Sequence, residues 1–135
     1  MMAVGDEHVR IAAAREVLDG WAAAFNARDL QALANQWMHF PHVRFHSGQV
    51  TVWQRPEDFV LAQQQAQERR RAAGWTRSEW DYVEPIDAGR GKVHFRVQFT
   101  RYREDGSVIG SYRSFYIVTF LEGRWGIQGR SSWAE

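Results

Sequence analysis

From Val93 to Phe99 apolar and polar residues alternate without a break: Val93, Phe95, Val97 and Phe99 share one parity, His94, Arg96 and Gln98 the other. Successive side chains of a strand point to opposite faces, so the segment reads as a β-strand, with Thr100 and Tyr102 continuing its polar face. Such a strand needs neighbours to pair with and a layer to cover its apolar side. The rest of the chain has to supply both.

Helices come first. Between Asp6 and Phe25 the apolar positions Ile11, Ala14, Leu18, Trp21 and Phe25 recur at spacings of three and four, with Asp6 as N-cap. Asn26-Ala27-Arg28-Asp29 breaks that pattern; Asn26 suits a left-handed helix end and Asp29 caps a second helix carrying Leu30, Leu33, Ala34 and Trp37. Pro41 stops its continuation. Two short alternating segments, His42 to Phe45 and Gln49 to Trp53, flank Ser47-Gly48 and read as a hairpin. A third helix is signalled by Pro56 in its first turn, Glu57 and Asp58 at the positive end of the dipole, Arg69 to Arg71 at the negative end and Gly74 as stop. The arginine triplet reads as a solvated, dipole-matched helix end. From Trp75 onward long strands are separated by turn residues at 88–91, 104–106 and 122–123.

Helices followed by a meander define an α+β domain, three N-terminal helices on a curved antiparallel sheet. With 135 residues, 44% apolar and 24% charged, residues 1–135 read as a single globular domain able to bury a core. No apolar run approaches the roughly 20 residues of a membrane span, and Met1 to Arg10 lacks the pattern of a secretory signal, so a cytoplasmic location and no membrane partner are expected. Zero cysteines remove disulfides, thiolate nucleophiles and Cys-type zinc sites. A formal net charge of +1 gives no electrostatic case for nucleic acid.

Three strands offer a polar pair at two-residue spacing: His42 with Arg44, His94 with Arg96, Gln128 with Arg130. The far half of 107–121 is apolar on both faces, Phe115 and Ile117 against Tyr116, Val118 and Phe120. Double-sided burial asks for a second covering layer, and a second subunit supplies it, so a homodimer through the apolar sheet face is expected. The polar pairs then point into the hollow between sheet and helices. There the imidazoles and guanidiniums need a ligand or a carboxylate.

The order of these elements, with Phe25-Asn26-Ala27-Arg28-Asp29 before the second helix and Gly123-Arg124-Trp125-Gly126-Ile127 in the last strand, resembles the nuclear transport factor 2-like superfamily, including its polyketide-cyclase-like (SnoaL-like) and ketosteroid-isomerase-like branches. His39-Phe40-Pro41-His42-Val43-Arg44, Phe99-Thr100-Arg101-Tyr102 and Arg130-Ser131-Ser132 look like a bacterial branch whose membership supplies no activity. The resemblance implies a cystatin-like cone with a pocket at its open end and dimerisation through the sheet. Isomerases of this superfamily use a carboxylate on the first hairpin, but His42 to Trp53 contains no Asp or Glu. Epoxide hydrolases of the fold place an Asp two residues from a strand Arg; Gln98 stands two residues after Arg96 here. Arg96 also matches the place of a pocket arginine in the oligomerising domain of a calmodulin-dependent kinase, which implies an anion site.

Several functions remain open. In an isomerase, lyase or cyclase, His42 or His94 serves as general acid/base while Arg44, Arg96 or Arg130, with Gln98, holds an anionic or enolate-like oxygen. In a non-catalytic binder of a small carboxylate the same arginines act with a wall of aromatics, Trp37, Trp53 and Trp80. A homo-oligomeric interaction module would need an exposed apolar patch. No cofactor is implied. His39, His42 and His46 do not read as a metal site, because His42 and His46 lie about 13 Å apart on an extended strand.

Overall fold

A computed structural model describes residues 5–133. Three helices precede or interrupt six strands: α1 (Glu7–Asn26), α2 (Leu30–Gln36), β1 (Met38–His46), β2 (Gln49–Trp53), α3 (Pro56–Ala72), β3 (Arg77–Ala88), β4 (Lys92–Tyr102), β5 (Val108–Leu121) and β6 (Arg124–Ser132). Asp6 caps α1 by accepting from Val9 N at 3.0 Å, and Asp29 caps α2 by accepting from Ala32 N at 3.0 Å. The left-handed residue between the two helices is Arg28 (φ 60°), not Asn26. Asn26 stays helical and spends its amide on β3 instead, donating to Ser78 O at 2.9 Å and accepting from Ser78 N at 2.8 Å. That pair fixes the end of α1 to the sheet. At Ser47-Gly48 both residues have positive φ, 52° and 74°, the conformation a two-residue hairpin turn requires.

The strands run β2-β1-β6-β5-β4-β3 in one sheet. Every pairing is antiparallel except β1 with β6, which is parallel, so the sheet is mixed. Bulges at Asp81 and Ile86 in β3 and at Gln128 in β6 bend it around the helices. No helix among the described residues is long and apolar enough to cross a membrane.

Cross-strand register carries the parity of β4 across the sheet. Val93, Phe95, Val97 and Phe99 stand opposite Val118, Tyr116, Ser114 and Tyr112 of β5, and Tyr116 in turn stands opposite Arg130 of β6. This face is the inner one. Val93, Phe95, Val97 and Val118 are fully buried in one core with Leu18, Trp21, Leu33 and Phe59 from the helices. The expectation that the apolar face of β4 meets a second subunit is therefore corrected: the chain's own helices cover it. The helices bring apolar stripes and the strand brings the matching face, so burial selects this orientation. Truncating Phe59, fully buried in this core, would cost about 3–5 kcal/mol.

The outer face carries His94, Arg96 and Gln98, together with Phe115 and Ile117 of β5. Toward the β1–β2 edge it exposes Val43, Phe45, Val50 and Val52.

Candidate functional site

Toward the ends of β4 and β5 the inner face stops being apolar. One step beyond Phe99 on the same parity comes Arg101, and it projects into a hollow between helices and sheet together with Arg130 from β6, Arg44 from β1 and Arg70 from α3. Arg44 and Arg130 are direct neighbours across the parallel pairing. The hollow has two chambers. One, of about 90 Å³, lies against α1 and β3 and is walled by Trp21, Phe25, Trp80 and Phe99. The other, of about 410 Å³, lies against α3 and the β1–β2 hairpin and reaches Trp53 and Tyr112. All four arginines, with Gln63 and Tyr116, line both chambers, which places the guanidiniums at their junction.

These cations lack the carboxylate partners that charge withdrawn from water ordinarily requires, and their neutral partners leave some donors unmet. Nε of Arg44, Arg70 and Arg101 and Nη2 of Arg130 are buried without a hydrogen-bond partner, as is the indole N–H of Trp80. None of the four belongs to an ion pair among the described residues. Glu79 alone brings a carboxylate to the lining, and it is exposed and faces Arg77 at 3.4 Å. What supports the guanidiniums instead is aromatic. Arg70 sits 4.5 Å from the Phe25 ring centre, Arg130 4.8 Å from Trp21, Arg101 5.0 Å from Tyr112 and Arg44 5.2 Å from Trp53. Ring faces attract cations, but they do not saturate N–H donors.

The electrostatic cost is visible. Burial, then the charge of Arg130 and Arg69, pulls Arg44 down to about 10. Burial, then Arg101, Arg130, Arg69 and Arg44, does the same to Arg70. Burial also lowers Arg101 and Arg130. At neutral pH all four stay charged.

Behind Arg130 lies His42, fully buried and outside the chamber walls. Its Nε2 accepts from Arg130 Nε at 3.1 Å while Nδ1 donates to Ile127 O at 3.1 Å. Burial, then the positive charge of Arg130, drives His42 down to about 2, so the ring is neutral and both nitrogens are engaged. A ring held in this way positions a guanidinium and has no free nitrogen to take a substrate proton.

The residues singled out from sequence separate into two groups. Arg44, Arg130 and Trp80 line the hollow, and His42 stands directly behind it. His94, Arg96 and Gln98 do not join them, because their parity puts them on the outer face once the apolar side of β4 turns toward the helices. There Arg96 donates to Glu84 at 2.6 Å, Gln98 donates to Asp81 at 3.0 Å and His94 packs edge-on against Phe115. The bulge at Asp81 is what turns that carboxylate outward, where it also accepts from Thr100 at 2.7 Å. Gln128, the other half of Arg130's pair, is likewise bulged outward and donates to Pro41 O. Trp37 lies against Gly20 of α1, which leaves no room there for a Cβ, and is outside the hollow. Arg70 and Arg101 were not among the expected site residues. For Arg101 the signal was present, since it continues the parity of Phe99. Arg70 was concealed within the triplet Arg69 to Arg71, whose other two members are solvent-exposed while Arg70 turns inward and donates to Gln63 at 3.1 Å.

A bent sheet wrapped on three helices with a hollow at its open end is the architecture of the cystatin-like, NTF2-like class. The sequence matches the family described as NTF2-like protein (DUF6841) over residues 6–132, and the chain belongs to that family. No curated protein matches it. Solved structures show the same fold at low identity. An NTF2-like protein of unknown function from Shewanella oneidensis is 14% identical with a TM-score of 0.66, covering 87% of this chain and 93% of that one. A cystatin-like protein from Caulobacter vibrioides is 13% identical with a TM-score of 0.68, covering 91% and 87%. A protein from Catenulispora acidiphila, solved in complex with S-DNPA, is 16% identical with a TM-score of 0.71, covering 90% of each chain.

Proposed function

We propose that this protein binds a small organic anion in the hollow between its helices and sheet, with Arg44, Arg70, Arg101 and Arg130 as the anion-holding groups and Trp80 as a further donor. One observation carries the reading: four half-buried arginines line one cavity, each with a buried guanidinium nitrogen that has no hydrogen-bond partner, and the lining contains a single, exposed carboxylate. Guanidinium forks bind carboxylate and phosphate oxygens in bidentate fashion, and the larger chamber falls within the roughly 300–1,000 Å³ of small-molecule sites. The complex of the Catenulispora protein with a small molecule is in keeping with this use of the fold. Histidine acid–base chemistry receives less support, because His42 is neutral and doubly bonded and His94 stands on the outer face. The proposal is therefore of a binding protein acting in the cytoplasm, with His42 positioning Arg130.

Three tryptophans, Trp21, Trp53 and Trp80, wall the hollow and report on its contents. Titration with 4-nitrobenzoate, a quencher, is expected to give saturable loss of tryptophan emission that weakens with salt and disappears in Arg44→Met and Arg130→Met proteins. Linear, unsaturable quenching shared by all three proteins would refute the proposal.

Dimerisation through the sheet remains part of it, moved to the outer face. Val43, Phe45, Val50 and Val52 form an exposed apolar band beside the half-buried Phe115 and Ile117, and a second copy supplies a matching band about a two-fold axis.

A further inference from the structure

We infer that the ligand of this hollow is a dianion on a flat apolar body: a small molecule, such as an aromatic dicarboxylate or an aryl phosphate, that brings two negative charges close together. The inference rests on the anion-binding reading above and concerns how much charge the site is built to take.

Charge balance makes the case. Arg44, Arg101 and Arg130 all act electrostatically on Arg70, and Arg130 acts on Arg44, so the four behave as one cluster and not as four separate sites. Arg69 at the outer margin adds to the field on both Arg44 and Arg70. Against at least four positive charges the lining sets only Glu79, which already faces Arg77. A monoanion offsets only one of the four positive charges, and would leave an excess of like charge among guanidiniums that act on one another. Two charges on one ligand give each pair of guanidiniums its own acceptor oxygens.

Donor placement agrees. The four arginines enter the hollow from different elements, Arg44 and Arg130 from the adjacent strands β1 and β6, Arg101 from β4 across β5, and Arg70 from α3 on the helical side. Acceptors are thus required on more than one side of the ligand. The body that carries them is set by the smaller chamber, about 90 Å³ between Trp21, Phe25, Trp80 and Phe99, which suits a thin ring edge entering between aromatic faces while the acidic groups stay at the junction. A purely inorganic ion would leave that chamber empty.

Isothermal titration calorimetry at neutral pH on the intact protein separates the possibilities, with benzoate, monomethyl phthalate, phthalate and phenyl phosphate as probes. Monomethyl phthalate keeps the shape of phthalate and removes one charge. Phthalate, phenyl phosphate or both are expected to bind at least tenfold tighter than monomethyl phthalate and benzoate, and their affinity to fall more steeply with salt. Preference between phthalate and phenyl phosphate tells whether the natural group is a carboxylate pair or a phosphate. An Arg101→Met protein is expected to lose affinity for phthalate and phenyl phosphate by a larger factor than for benzoate, so that the dianion advantage shrinks; its far-ultraviolet circular dichroism reports whether it is folded, and the wild-type comparison alone decides if it is not. Equal affinity for phthalate and its monomethyl ester would overturn the dianion inference and leave the anion site standing. Absence of binding by all four probes would overturn both.

Discussion

Arg96 and Arg101 leave the same strand five residues apart and meet opposite surroundings. On the outer face Arg96 is solvated and donates to Glu84 at 2.6 Å, while the neighbouring Gln98 and Thr100 share the carboxylate of Asp81. On the inner face Arg101 joins three further guanidiniums, its Nε buried without an acceptor. Arg96, Gln98 and Thr100 of the outer surface have thus been given carboxylate partners by the fold. Within the hollow the complement is missing. A surface pair such as Arg96 with Glu84 contributes about 0–1 kcal/mol and can be exchanged at little cost. Clustered, partly buried cations destabilise the free protein, a cost that a bound anion would offset.

The contrast can be broken first at the level of ligand binding. Arg130→Met is expected to weaken binding of an aromatic carboxylate by about 100-fold, the effect of losing a charge-assisted hydrogen-bonded pair, whereas Arg96→Met is expected to change it less than twofold. Calorimetry on both proteins checks this, and equal losses would erase the distinction between the faces.

Acid provides the next largest effect. His42 is held near 2 in the folded protein, against about 6.5 when unfolded. A depressed folded value means that the unfolded chain takes up the proton first, so this stability is complete above about pH 6.5 and declines as pH falls below it. One proton corresponds to about 1.4 kcal/mol per pH unit, or about 2 kcal/mol between pH 6.5 and 5. Chemical denaturation across that window should show the slope, and a His42→Gln protein should show it reduced by about that amount; an unchanged slope would mean that His42 is not the buried neutral ring described.

Smaller still is the effect on the empty protein. Arg44→Met removes one member of the cluster and its stacking on Trp53, and is expected to raise stability by about 0.5–1 kcal/mol in the absence of ligand, against a change within about 0.5 kcal/mol for Arg96→Met. Denaturant midpoints decide it, and a marked loss of stability in Arg44→Met would contradict the description of a strained cluster. At the outer face, Val50→Arg is expected to shift the elution of the protein toward monomer with little change in its binding of anions, as light scattering would reveal.

Much of the architecture was legible in local pattern. The stripe Ile11 to Phe25, the caps Asp6 and Asp29, the turn at Ser47-Gly48 and the alternation along β4 all correspond to observed elements. Which side of β4 faces inward was not legible from the strand itself, since period-two alternation fixes two faces without naming the covering layer. The answer lay in quantity of apolar surface: α1 and α3 present Leu18, Trp21 and Phe59, and only Val93, Phe95 and Val97 match them. Reading that parity to its end would have placed Arg101 in the hollow and removed Arg96 from it. Bulges are harder. An extra residue at Asp81 or Gln128 reverses the direction of everything after it, and nothing in the local composition announces it. Arg70 demanded the three-dimensional position of α3, because a row of three arginines at a helix end does not reveal which one turns inward.

Crystallography with 4-bromobenzoate tests the central claim most directly, since the bromine can be located by its anomalous signal. The account predicts a peak between Trp21, Phe25 and Trp80, with the carboxylate within about 3 Å of the guanidiniums of Arg44, Arg101 or Arg130. A peak on the outer face beside Arg96, or a hollow without bromine at saturating ligand, would contradict it.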